Sequence, residues 1–452
     1  MNSVRPAAVA GMFYPGDAGS LAAEVDDLLG GAGQPMPRLG HPKALVVPHA
    51  GYIYSGPVAA CAYDELAAAR GTVRRVVLLG PTHRVAVKGL AIPSDGAFAT
   101  PLGTVRIDAE ALAEVRDLPQ VVVSDAAHAL EHSLEVQLPF LQRVLGEFAL
   151  APFAVGMAGV REVAEVIERL WGGPETLIVI STDLSHYHAY DKAQAIDRAT
   201  IARIAAFATD LDHEEACGAT PLNGLLFSSK KKNLSLKLLS ACNSGDTAGG
   251  KGQVVGYSAF GLYEGGEVSL DEAGRTLLAI ARGSIESAVL GKAKPEPTSL
   301  WLRQTGATFV TLTKNEELRG CIGSLEPARA LGEDAAQNAL AAALRDPRFP
   351  AMSAVEWLQC RVEVSLLSTP KPLRFADEAD LLAQIEAGED GLIIEARIDN
   401  VVKRGTFLPQ VWEDIADKRA FLAHLLKKAG LPADTRLTRC KVLRYRVFKW
   451  QE

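Results

Sequence analysis

Strongly apolar runs alternate with helix-like segments through the first part of this chain, and this alternation constrains its fold more than any other feature. Residues 44–47, 76–79, 121–124, 177–180 and 236–239 are runs of this kind, followed by 254–262. Several are apolar at every position, as expected of strands covered on both faces. Helix-like stretches fall between them at 20–29, 57–69, 134–145, 160–170 and 193–206. This order predicts an α/β domain built on a mainly parallel sheet.

The pattern breaks at Gly265-Gly266. Ser269 follows, with Glu272 three residues on and a periodic run to Leu290, the signature of a capping box opening a helix. The boundary is therefore placed near residue 266, giving domains 1–266 and 267–452, with a Pro- and Lys-containing loop at 292–297. The second domain reads as strands 308–313 and 318–322 joined by a turn at Lys314-Asn315-Glu316, then a helix at 331–344. Strands at 360–367 and 391–396, a helix at 418–429 and a strand at 441–448 complete it. That mixture predicts an α+β fold.

A chain of 452 residues with 48% hydrophobic content can bury a core in each domain. Its net charge of -7 argues against nucleic acid as a partner, since such binding rests on neutralising phosphates. The basic run Lys230-Lys231-Lys232 reads as a solvated loop. The stretch 44–63 lacks charge and is long enough to cross a bilayer, but Pro48, Gly51, Gly56 and Pro57 interrupt it, so no membrane helix is expected. The N-terminus has no apolar core of a signal peptide. Six cysteines form no CxxC pair, and a reducing, cytoplasmic setting is expected.

Polar residues collect where the apolar runs end. Residues 44–47 lead into Pro48-His49, 76–79 into Gly80-Pro81-Thr82-His83, 177–180 into Ser181-Thr182-Asp183-Leu184-Ser185-His186, and 236–239 into Ser240-Ala241-Cys242. Loops at the carboxyl ends of parallel strands share one crevice, where ligands bind. Two imidazoles and a thiolate, His49, His83 and Cys242, suit Zn, Fe or Cu, and three protein ligands leave positions open for substrate. Asp183 and His186 are expected to move protons or to support the ligands.

The segment from His128 to Gln137 carries further candidates. On a helix, His128 and His132 lie one turn apart, as do Glu131 and Glu135. An amphipathic helix with a polar face accounts for this; the sharper reading puts Glu131 and His132 at the pocket rim against substrate. Tyr54, Tyr14 and His188 are weaker rim candidates.

Several strings resemble the MEMO family: Arg5-Pro6, Ala10-Gly11-Met12-Phe13-Tyr14-Pro15, Pro48-His49-Ala50-Gly51-Tyr52, Gly80-Pro81-Thr82-His83, Glu131-His132-Ser133-Leu134-Glu135, Ser181 to His186, and Gly256-Tyr257. That family is similar to class III extradiol dioxygenases, α/β sandwich enzymes that bind iron(II) through two His and a carboxylate. The resemblance implies His49 and His83 as imidazole ligands, Cys242 in place of the carboxylate, and His186 as the proton-handling residue beside Asp183. It implies Fe(II) before Cu or Zn. A thiolate in place of a carboxylate changes the softness and potential of the ion and exposes a ligand to oxidation.

The second domain resembles the AMMECR family through Gly306 to Val310, Leu318-Arg319-Gly320-Cys321-Ile322-Gly323-Ser324, Asp346-Pro347-Arg348-Phe349-Pro350, Gly391 to Ile394, and Thr406 to Trp412. Microbial members of both families are named together as proteins B and A of the AmmeMemoRadiSam system, which implies a radical SAM protein as partner. Arg319 and Cys321 are two apart on a strand and share a face, where a guanidinium would favour thiolate. A structural cysteine in a Gly-bordered strand is the plainer reading. The expected function is a metal-dependent, dioxygenase-like oxidoreductase acting on a small molecule or peptide. A non-catalytic metal- or peptide-binding adaptor and a zinc hydrolase are the alternatives.

Overall fold

The computed structural model describes every residue except 1, 2, 33–35, 37, 38, 266, 267, 297, 399, 400, 433 and 434. The expected boundary at residue 266 lies outside the described residues. The chain divides into two compact units, residues 1–33 with 41–267, and residues 34–40 with 268–452. Residues 39 and 40 thus pack with the second unit: Leu39 rests on its core, and the Gly40 amide donates to Gln304 Oε1. No helix among the described residues is long and apolar enough to cross a membrane.

The first unit is built on a large mixed sheet. Its centre runs Ala149–Val155, Arg75–Pro81, Thr176–Ser181, Ala44–Val47, all parallel, and Val254–Tyr263 then pairs antiparallel with Ala44–Val47. Ala44, Leu45, Val46 and Val47 are fully buried, as are Leu177 to Ile180, so the apolar runs sit where both faces are covered. Helices Ala18–Gly31, Tyr52–Asp64, Val160–Arg169 and Ala219–Lys231 supply part of the cover.

Two expectations change. Ala149–Val155 is a further central strand, outside the apolar runs named above, and it holds Pro152, a residue that argues against a central strand in a sequence. Residues 236–239 belong to Ser235–Asn243, which pairs antiparallel with Val254–Tyr263 and is only half-buried along most of its length, rather than to the parallel centre.

Among the described residues the second unit holds two four-stranded antiparallel sheets, besides a short two-stranded pairing of Thr305–Gly306 with Arg329–Ala330. One runs Glu317–Gly323, Thr308–Lys314, Cys360–Leu367, Val447–Gln451; the other runs Lys371–Leu373, Lys441–Tyr445, Gly391–Ile398, Val401–Phe407. Helices Leu270–Leu290 and Leu331–Leu344 share a core with the first of these sheets. Ser269 caps the longer helix by accepting the Glu272 amide. The strand expected at 441–448 is two strands, broken at Arg446.

Candidate metal centre

Three parallel neighbours bring three of the expected loops together. Arg75–Pro81, Thr176–Ser181 and Ala44–Val47 lie side by side, so the residues after them, His83, Asp183 and His49, emerge at one end of the sheet. A fourth segment joins them from outside the sheet. The helix Asp125–Ala129 stops before Leu130, so residues 131–134 form an irregular turn and His128 and His132 do not stack on one helical face.

That turn places His132 beside the other two histidines. His49, His83 and His132 each offer a ring nitrogen, and these atoms lie within 4.8 Å of one another. Ring centroids are 5.1 Å apart for His49 and His83, 5.4 Å for His49 and His132, and 4.7 Å for His83 and His132. Cys242 is not part of this group. It sits opposite Tyr257 on the antiparallel pair, where burial, helped by Asp246 and Cys61, pushes its thiol up to about 11.

A buried clamp holds the His132 turn. Arg5 donates to the carbonyls of His128 (2.6 Å) and Glu131 (2.7 Å) and to Glu135 Oε2 (2.7 Å). Glu135 also accepts the amides of Ala8 and Val9 and the hydroxyl of Tyr14, at 2.6 Å. Tyr14 is therefore a buried structural residue and not a rim residue. His128 is buried too, with Nε2 2.9 Å from the Ala91 carbonyl, away from the three-histidine group. Gly80 lets the turn approach: a Cβ there would stand 2.8 Å from Ser133 Oγ and 3.0 Å from Leu134 Cδ2.

Glu131 is a correction to the sequence reading. It is 1% exposed and cannot meet substrate at a rim. Its Oε2 accepts the His83 amide at 2.6 Å, and its Oε1 accepts the Ser133 amide and faces His83 Nδ1 at 2.9 Å. Burial alone would raise this carboxyl, but the His83 ring, the His83 amide and the Ser133 amide outweigh it and hold it at about 2. A carboxylate on the far nitrogen of an imidazole orients the ring and raises its basicity toward a metal.

Burial, with His83, His132 and His186 nearby, drives His49 well below the usual histidine range. Burial lowers His132 to about 4. Both rings are therefore neutral at pH 7, the form that binds metals. Asp183 is buried; desolvation pushes it up to about 7 although it accepts the His49 amide at 2.7 Å. Its Oδ2 stands 3.9 Å from His49 Nε2. His186 opens the edge strand His186–His188, paired with Val254–Tyr263, and burial lowers it.

The family model described as Memo-like protein matches residues 5–260. The chain belongs to the Memo-like family. A MEMO1 family protein of Methanopyrus kandleri is 40% identical over 283 residues, covering 58% of this chain and 99% of the relative. One from Aquifex aeolicus is 38% identical over 267 residues, covering 56% and 97%. The AMMECR1 family model matches residues 278–450, so a Memo-like domain precedes an AMMECR1 domain. Among solved structures, an uncharacterized protein of Pyrococcus horikoshii is 34% identical, covering 40% of this chain and 92% of that one, with a TM-score of 0.34.

Within the Memo-like domain, Cys217 joins the site although no expected site residue lies near it in sequence. Its Sγ lies 3.3 Å from His49 Nε2 and accepts the Asp183 amide at 3.3 Å, and burial pushes the thiol up to about 12. The available signal was an Ala216-Cys217-Gly218 step just before a helix, which by itself carries no metal spacing. Tyr54 stands 37% exposed in the first turn of Tyr52–Asp64, three residues past Gly51, and remains available to a ligand.

In the AMMECR1 domain the expected pairing of Arg319 with Cys321 is not what forms. Arg319 is buried and meets Glu356 through Nε (2.8 Å) and Nη2 (2.9 Å), so its charge is neutralised there. Cys321 Sγ accepts from Thr311 Oγ1 at 3.3 Å, and the guanidinium bonded to the Cys321 carbonyl is that of Arg348, at 3.1 Å. Gly320 brings this strand against a helix: a Cβ there would meet the Ala342 carbonyl oxygen at 2.3 Å.

Proposed function

We propose that the Memo-like domain is a catalytic metal centre in which His49, His83 and His132 hold the ion. The observation that carries this is the convergence of three imidazole nitrogens within 4.8 Å, two of them on rings kept neutral by burial. Access favours a reactive ion over a structural one. The side chains of His83 and His132 are 29% and 16% exposed while that of His49 is 2% exposed, so one side of the group opens to solvent. Three protein donors with an open side are the pattern of catalytic sites.

Iron(II) is the first choice of ion, and the reaction class is oxidation of a small molecule or peptide. Such an ion supplies a Lewis acid and a redox centre at the open side. His186 and Asp183 hold or pass protons beside it: Asp183 is raised into the range where it exchanges a proton near neutrality. Tyr54 meets the ligand from the rim. The AMMECR1 domain and a radical SAM protein take part in the same pathway, and fusion of the two domains raises their effective concentration for each other.

The all-nitrogen donor set also favours a second reading, zinc-assisted hydrolysis, because three imidazoles serve zinc in hydration and hydrolysis sites. Nitric oxide separates the two. Iron-loaded full-length protein exposed to nitric oxide is expected to give the half-integer spin resonance of an iron–nitrosyl, since the open side accepts a diatomic ligand. No such signal from stoichiometrically loaded protein refutes an open iron site and leaves zinc.

A further inference from the structure

Ser181 is fully buried, and its Oγ has three neighbours: the Ser133 carbonyl oxygen at 2.6 Å, Gln137 Nε2 at 2.9 Å and His49 Nδ1 at 2.8 Å. A hydroxyl has one proton. An oxygen–oxygen approach of 2.6 Å to a carbonyl needs a proton between the atoms, and only the serine can supply it. The Ser181 proton therefore points at Ser133.

Gln137 is oriented by other partners. Its Nε2 also donates to the Pro48 carbonyl at 2.9 Å, and its Oε1 accepts the Tyr63 hydroxyl at 2.8 Å. The amide thus donates to Ser181 Oγ. What remains on Oγ toward His49 is acceptor capacity, so Nδ1 carries the proton. A neutral imidazole has one N–H, and Nε2 keeps its lone pair.

We propose that Ser181, itself oriented by Gln137, is a positioning residue that locks His49 in the Nδ1–H tautomer and leaves Nε2 bare to hold a cation. The proposal rests on the metal reading above for its purpose and not for its geometry. The lock has work to do, because the other tautomer has acceptors waiting: Cys217 Sγ lies 3.3 Å and Asp183 Oδ2 3.9 Å from Nε2. A proton on Nε2 would meet Cys217 Sγ, within hydrogen-bond distance, and block the ion. His83 differs, since a carboxylate faces its Nδ1 at 2.9 Å. Glu131 Oε1 also stands 3.5 Å from His132 Nδ1, so His49 is the ring of the three backed by a neutral hydroxyl instead of a carboxylate.

The test uses metal-free, full-length protein with 15N-labelled histidine and long-range proton–nitrogen NMR, with His49 assigned by its loss in His49→Ala. The expected wild-type pattern is Nδ1–H with an unprotonated Nε2. Ser181→Ala is expected to populate the Nε2–H form and to weaken zinc(II) binding about 10- to 100-fold, and Gln137→Leu to do the same to a smaller extent. An Nε2–H pattern in the wild type overturns the lock even if both variants fail to fold. A folded Ser181→Ala that keeps the Nδ1–H pattern and wild-type zinc affinity overturns it too. A wild type that shows Nδ1–H yet binds no zinc supports the lock and sinks the metal reading.

Discussion

Glu131 grips His83 twice, taking its backbone amide on Oε2 at 2.6 Å and facing its ring Nδ1 with Oε1 at 2.9 Å. One carboxylate therefore sets both the path of the chain after Pro81 and the direction of the ring that follows. Glu131→Gln keeps the shape and loses the charge. It is expected to weaken metal binding about 10- to 100-fold, as loss of a metal-supporting partner does, and isothermal titration with zinc(II) checks this. Unchanged affinity contradicts the role given to Glu131.

The same residue sets an acid dependence. The Glu131 carboxyl falls from 4.5 to about 2 on folding, so the fold binds fewer protons there than the unfolded chain does. Its stabilisation is complete above pH 4.5 and is lost as pH falls toward 2. Urea unfolding of metal-free protein between pH 6 and pH 3 is expected to show that acid loss in the wild type and a smaller one in Glu131→Gln. Parallel curves for the two contradict it.

Asp183 has the opposite sign. Burial raises it from 3.8 to about 7, so metal-free folded protein holds a proton that the unfolded chain has released, and stability falls as pH rises across that window. Asp183→Asn keeps an acceptor for the His49 amide and removes the titration. Relative to wild type, the variant is expected to gain stability between pH 5 and pH 8. A difference that does not change with pH contradicts the buried, proton-holding Asp183.

Gly80 and the Arg5–Glu135 pair hold the His132 turn in place. Gly80→Ala pushes on Ser133 and Leu134, an overpacking that costs about 1–3 kcal/mol and moves His132. Glu135→Gln leaves the Arg5 charge buried without its partner and costs about 3–5 kcal/mol. Both are expected to lower the melting temperature and to weaken zinc(II) binding together, by calorimetry and titration. Lost stability with intact metal affinity would detach the clamp from the site.

The sequence made part of this legible for a physical reason. His49, His83 and Asp183 each follow an apolar run that is a neighbouring parallel strand, and parallel neighbours must end side by side. His132 and Cys217 reach the centre from a turn and a pre-helical step, whose direction depends on tertiary contacts such as the Arg5 clamp and Gly80. The spacing of Glu131 and Glu135 suits a polar helical face, with a pocket rim as the sharper reading for Glu131, but the helix ends at Ala129 and the carboxylate turns inward, so neither forms. Arg319 and Cys321 do sit two apart on one strand, yet Glu356 lies within reach of the guanidinium, and a partner from a distant segment cannot be read from strand spacing.

His186→Ala is expected to keep bound metal and lose turnover, because His186 lies outside the three-nitrogen group. Metal content and dioxygen uptake of the same preparation separate the two effects. Loss of metal in this variant would make His186 a ligand.

The most direct test of the centre is metal content by mass spectrometry on full-length protein purified without oxygen, for the wild type, His49→Ala, His132→Ala and Cys242→Ser. Near-stoichiometric metal in the wild type and in Cys242→Ser, lost in both histidine variants, is the expected result. Metal lost in Cys242→Ser and kept in His132→Ala would contradict the three-histidine centre.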